Sequence, residues 1–242
     1  MATENPLHQF TIKRLIEIHI GGIDASYTNS ALLMSIAVAF ITAFVVLTTR
    51  RAALVPGRWQ SVTEMFYEFV VDMVDRNAGH DARPYLPFVF TLFAFILCGN
   101  LLGLIPYSFT FTSHIIVTFA LAITVFIGVT IIGIARHGFR FLSLFVPHGV
   151  PKVLLLLLVP IELLSYCIRP FTLSIRLFAN MLAGHTMLVI FAGFVAALGI
   201  AGILPLAVDS ALVLLELLVA VLQAYVFAIL TCLYLADALH LH

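Results

Sequence analysis

The stretch VLLLLLVPIELLSYCIRPFTLSIRLFANMLAGHTMLVIFAGFVAAL, residues 153–198, is almost wholly apolar, yet Glu162, Arg169, Arg176 and His185 are embedded in it. As a helix rising ~1.5 Å per residue it would reach roughly 69 Å, against a bilayer hydrocarbon core of ~30 Å. It must tilt, bend or fold back. Pro160 and Pro170 supply places to bend, because each removes an N–H and crowds the carbonyl four residues earlier. We expect a long, bent and strongly inclined helix.

The rest of the chain has the same character. Of 242 residues, 62% are hydrophobic and 10% charged, and the mean hydropathy is +1.14, far outside the usage of soluble domains. The formal net charge is zero, which argues against a surface built for nucleic acid. Residues 30–49, 87–106 and 114–135 are each long enough to cross the hydrocarbon and hold no Asp, Glu, Lys or Arg. With 153–198 and 203–236 they give five membrane-embedded helices in an all-α, polytopic fold, read as a single membrane domain over residues 1–242.

Between the first two spans, residues 58–76 place Val62, Met65, Phe66, Phe69, Val70 and Met73 on one helical face. Glu64, Glu68, Asp72 and Asp75 run along another, as in an amphipathic interfacial helix. A shorter helix of that kind is expected at residues 7–18. The N-terminal sequence lacks a basic start, an apolar core and a small-residue cleavage site, so no removable targeting peptide is expected.

The connections set the orientation. Arg50, Arg51, Arg58, Arg76, Arg83, Arg136, Arg140 and Lys152 fall on one side, and only Lys13 and Arg14 on the other. The richer side is expected inside, with the N-terminus outside and the C-terminus inside. Cys98, Cys167 and Cys232 lie in apolar runs without metal-ligand or CxxC spacing and read as small buried hydrophobes.

On a helix turning ~100° per residue, Glu162, Ser165, Arg169, Thr172 and Asn180 all project within about 40° of Arg176. Charge facing lipid costs about 2.5–3.5 kcal/mol per residue even on lenient insertion scales, so this stripe must meet protein or water. Ser165 and Thr172 read as helix-packing hydrogen-bond formers. Arg176 has no acid one turn away, so its counter-charge must come from elsewhere in the fold or from another chain.

His185 points to the opposite face. In the last span Asp209, Glu216 and Gln223 repeat every seven residues and share one side, with Tyr234 further along. His185 and Glu216 could meet there. Imidazole titrates near physiological pH, and a carboxyl brought out of water can exchange protons with it. A purely structural His–Glu contact is the alternative.

The run RPFTLSIRLFANMLAGH (169–185), followed by LLELLVAVLQAYVFAILTCLYL (214–235), closely resembles subunit a of F-type ATP synthases, and GNLLGLIPYSFTFTSH (99–114) is similar to that family's second-span exit. By the resemblance Arg176 corresponds to the family's essential arginine, Asn180 to the asparagine one turn on, Gln223 to the glutamine of the final helix, and Glu162 to the acid fourteen residues before the arginine. His185 and Glu216 look like the titratable pair in its mitochondrial and alphaproteobacterial version. Asp237 is similar to an acid near the inside mouth.

The resemblance implies a non-catalytic proton-translocating stator with two half-channels, in a bacterial inner membrane or, alternatively, the mitochondrial inner membrane. Its implied partners are the c-ring and the peripheral-stalk b-type subunits, beside protons and lipid. No Gly-rich phosphate loop, metal motif or nucleophile constellation is present, and no cofactor is expected. Two rivals use the same embedded charges. A secondary carrier would be expected to show repeated halves, which this chain lacks. A non-conducting scaffold would tolerate apolar replacements at His185 and Glu216.

Overall fold

The computed structural model describes residues 11–12, 14–17, 19–20, 23–24, 26–50, 55–105, 109–138, 141 and 152–240. Among them six helices account for nearly all regular structure. They are α1 (Asn29–Thr49), α2 (Arg58–Ala78), α3 (Leu86–Gly103), α4 (Ile115–His137), α5 (Lys152–Leu198) and α6 (Ile203–Leu239). All but α2 are long and apolar enough to cross a membrane. The five expected spans and the amphipathic helix are thus present.

α5 runs as one helix of 47 residues through both Pro160 and Pro170, so the long segment does not fold back on itself. A short 3-10 turn, Gly199–Gly202, joins it to α6. Gly199 there takes φ +55°, a left-handed conformation that costs a side-chain-bearing residue energy.

The chain divides into two compact units, and α5 and α6 each contribute to both. The first comprises Met1–Arg51, Ala94–Ile115 and Leu177–Ala224. Its interior is built around Phe111, whose ring packs 5.4 Å from that of Phe95 and directly over Gly99. Asn100, fully buried on α3, donates from Nδ2 to the Ala220 carbonyl of α6 at 3.1 Å. α1 starts at a Thr28 cap whose hydroxyl accepts from the Ala31 amide.

Before α1 lie short strands. β1 (Arg14–Ile16) pairs antiparallel with β4 (Tyr27–Thr28), and β2 (His19–Ile20) pairs with β3 (Ile23–Asp24). This corrects the helix expected at 7–18, of which residues 7–10, 13 and 18 lie outside the described residues. Ile12, Leu15 and Ile16 are all exposed, so among the described residues nothing covers the apolar side of this segment to hold it as a helix. β-branched residues and paired backbone groups favour the hairpins.

The second unit comprises Ala52–Phe93, Ile116–Arg176 and Tyr225–His242. α2 packs Val70, Met73 and Val74 inward and stacks Phe66 against Phe90 and Phe93 of α3. Trp59, Val62, Met65 and Phe69 remain exposed, an apolar strip suited to an interfacial helix. Asp75 at the end of α2 accepts two hydrogen bonds from Arg83, at 3.1 and 2.9 Å. α4 meets α5 through Thr118 and Ser174, whose hydroxyls are 3.2 Å apart, and through Thr130 and Tyr166 at 2.7 Å.

The three cysteines are free thiols. Only Cys232 is fully buried; Cys98 is half-buried and Cys167 is exposed on α5. The expectation that all three are buried therefore fails for Cys167, which shares the exposed side of α5 with Leu163, Leu164 and Phe171.

Candidate functional site

The first unit brings together the pair expected from opposite ends of the C-terminal half. Glu216 is 4% exposed, and its Oε1 lies 3.3 Å from Nδ1 of His185. Glu216, Ala220, Gln223 and Ala224 form the buried side of α6, while Leu214, Leu215, Leu218 and Leu222 are exposed. The seven-residue period thus marks the side of α6 that faces its own chain. Neither carboxyl oxygen of Glu216 has a hydrogen-bond partner among the described residues. The carboxyl and the imidazole are close without being aligned, an arrangement common in proton-transfer pairs before the transfer geometry forms.

Two further residues complete this cluster. Thr110, 3% exposed in the connection before α4, places its Oγ1 2.7 Å from Nε2 of His185. Gly184 opens the surface of α5 to the Glu216 carboxyl, since a Cβ there would stand 2.7 Å from Oε1. Asn180 is half-buried and Gln223 is buried at 6% exposure. Asp209, half-buried on α6, keeps an Oδ1 without a partner among the described residues.

The second unit holds the cationic part of the stripe. Arg169 donates from Nη1 to Oδ2 of Asp237 at 2.8 Å. Its guanidinium lies 5.4 Å from the Tyr166 ring centroid and 5.0 Å from that of Tyr234. A cation held by a carboxylate and two aromatic faces is compensated within the chain. Arg169 thus meets its own chain, through Asp237 and the Tyr166 and Tyr234 rings.

Arg176 is different. It is exposed on the face of α5 that carries Phe171, Thr172 and Ile175, while Leu173 and Leu177 beside it are buried. Among the described residues no carboxylate lies within 4 Å of its guanidinium. Its electrostatic neighbour in the unit is the phenol of Tyr234, a neutral group. Glu162 is half-buried and forms no ion pair or hydrogen bond among the described residues. The described residues contain no group of His, Cys, Asp and Glu able to hold a metal ion.

A family model described as ATP synthase A chain matches residues 31–236. The chain belongs to this family. ATP synthase subunit a of a Chelativorans species is 60% identical over 99% of both chains. That of Parvibaculum lavamentivorans is 58% identical over 98% of this chain and 94% of its own, and that of Rhodospirillum rubrum 54% over 98% and 99%. As an ATP synthase subunit a, the chain is a multi-pass, non-catalytic membrane subunit of the complex, its proton-channel stator.

Helical periodicity in this subunit a marks His185 and Glu216 but not Thr110 or Gly184. Thr110 stands 75 positions from His185 in an irregular connection, where helical periodicity carries no signal. The glycine adjoining the histidine was the available clue, since a small residue on an apolar helix allows close approach.

Proposed function

We propose that Arg176 faces the carboxylates of a rotating c-ring and that two offset half-channels lead protons to and from that ring. The outer path passes Glu216 and His185, and the inner path passes Glu162 and Asp237. Asn180, one turn beyond Arg176, and Gln223 supply neutral polar groups along the way. Peripheral-stalk b-type subunits hold the chain still, in a bacterial inner membrane with the N-terminus outside. The described connections richest in Arg, at Arg58, Arg76, Arg83 and Arg136, then face inside.

The observation that carries this reading is the exposed guanidinium of Arg176 in the middle of an apolar helix, with no carboxylate of its own chain in reach among the described residues. Charge so placed is costly against lipid. A passing carboxylate on another chain supplies the missing partner. Guanidinium stays protonated, so it attracts that carboxylate without relaying the proton, which blocks a direct leak between the paths. Each elementary charge crossing 100 mV releases about 2.3 kcal/mol, so several protons per turn drive useful rotation.

Arg176→Lys tests the role. Lysine keeps a charge but loses the planar fork and deprotonates when desolvated. In inverted membrane vesicles carrying the whole synthase, ATP-driven acidification is expected to disappear while the complex still assembles. Normal pumping in that variant would refute the assignment.

A further inference from the structure

We propose that the Thr110 hydroxyl is the positioning group of the His185 relay, a rotor that satisfies Nε2 in both protonation states of the ring. The inference deepens the proton path proposed above and rests on it. Thr110 Oγ1 has two partners: Nε2 of His185 at 2.7 Å and the Gly103 carbonyl at 3.4 Å. A carbonyl only accepts, whereas Nε2 accepts when bare and donates when protonated. A hydroxyl, with one hydrogen and two lone pairs, can serve both.

When His185 is neutral with its hydrogen on Nδ1, toward Glu216, Nε2 is bare and the Thr110 hydroxyl donates to it. When the neutral ring carries its hydrogen on Nε2 instead, Nε2–H donates to Oγ1, the hydroxyl hydrogen turns to the Gly103 carbonyl, and Nδ1 is bare to take the proton of the Glu216 carboxyl. Glu216 is then left as carboxylate, while the Nε2 bond of the now doubly protonated ring stays in place. No heavy atom has to move between the two states. The ring therefore keeps Nδ1 at 3.3 Å from Glu216 Oε1, and Nε2 keeps a hydrogen-bond partner at either stage.

The surroundings hold this hydroxyl in place. Thr110 is 3% exposed, and its Oγ1 and Cγ2 lie so close to Gly103 that a Cβ on that residue would stand 2.8 and 2.6 Å from them. The 3-10 turn Phe111–Ser113 begins directly after it, and Ser113 closes back onto the Thr110 carbonyl at 2.6 Å. A residue fixed this firmly beside a titrating ring acts on it through orientation.

The test compares Thr110→Val, Thr110→Ser and Glu216→Gln in the intact synthase, in inverted membrane vesicles, with proton flux expressed per assembled complex. Valine keeps the branched shape and removes the hydroxyl; serine keeps the hydroxyl. A hydrogen bond to a charged group contributes about 1.5–3 kcal/mol, so Thr110→Val is expected to lose proton flux by about tenfold or more, with Thr110→Ser recovering most of it. Equal losses in valine and serine would mean that the methyl packing against Gly103 matters and would overturn the proposal. Wild-type flux in Thr110→Val beside an inactive Glu216→Gln would overturn the hydroxyl role alone. Wild-type flux in Glu216→Gln would overturn the path itself, and this inference with it.

Discussion

Adding one methyl group at Gly184 tests whether proton transfer depends on the close seat of Glu216. A Cβ there would stand 2.7 Å from Oε1, 3.0 Å from Cδ and 3.2 Å from Cγ of Glu216. Ordinary contact begins near 3.4 Å, so Oε1 must withdraw by about 0.7 Å, the difference between the two distances. The Oε1 to Nδ1 separation, 3.3 Å at present and at the edge of the ~2.6–3.2 Å over which a proton passes directly, then opens toward about 4 Å, too far for thermal motion to close easily. A misplacement near 1 Å costs on the order of 100-fold in such reactions. Gly184→Ala is therefore expected to lower proton flux by about 10- to 100-fold. Alanine is the better helix former by ~1 kcal/mol, so α5 itself should not weaken. The assay is passive proton flux through vesicles stripped of the catalytic sector, with ATP-driven acidification before stripping. If Gly184→Ala conducts as well as wild type per complex while Glu216→Gln is inactive, the geometric reasoning is wrong.

Asp237→Asn removes the charge that Arg169 bonds, leaving its two aromatic contacts. The pair is partly exposed, at 22% and 42% of the two side chains, so the loss is about 1 kcal/mol. It should appear as a drop of a few degrees in the thermal midpoint of the solubilised complex, and an unchanged midpoint would count against the clamp. At the end of α2, the hydrogen bonds from Arg83 hold the Asp75 carboxyl below its ordinary range. A depressed folded-state value means stabilisation that is full above the unfolded value, about 3.9, and is lost as pH falls through the folded one. Hydrogen exchange in the turn His80–Tyr85 should therefore lose protection when pH is lowered from about 5 toward 3, after correction for the intrinsic rate, and Asp75→Asn should abolish that dependence.

The parts of the architecture that rest on local pattern could be read from the sequence. Uninterrupted apolar length gave the five spans, and the mixed pattern from Arg58 gave α2. The spacing of Glu216 and Gln223 marked the buried side of α6 because a seven-residue step returns to nearly the same helical face. What escaped depends on contacts between distant segments. Asp237 captures Arg169 from 68 positions away, and no feature near Arg169 announces it. Thr110 acts from a connection without periodicity. The first described residues form hairpins because strand pairing supplies partners that an isolated amphipathic turn lacks, and Cys167 is exposed because it lies on the uncovered side of α5.

That bareness of α5 bears on how the protein is made. A newly inserted copy still waiting for its neighbours presents Arg176 and Thr172 directly to acyl chains, a condition that favours sliding of the helix until the guanidinium reaches the headgroups, so the final depth of α5 is set only as the complex assembles around it.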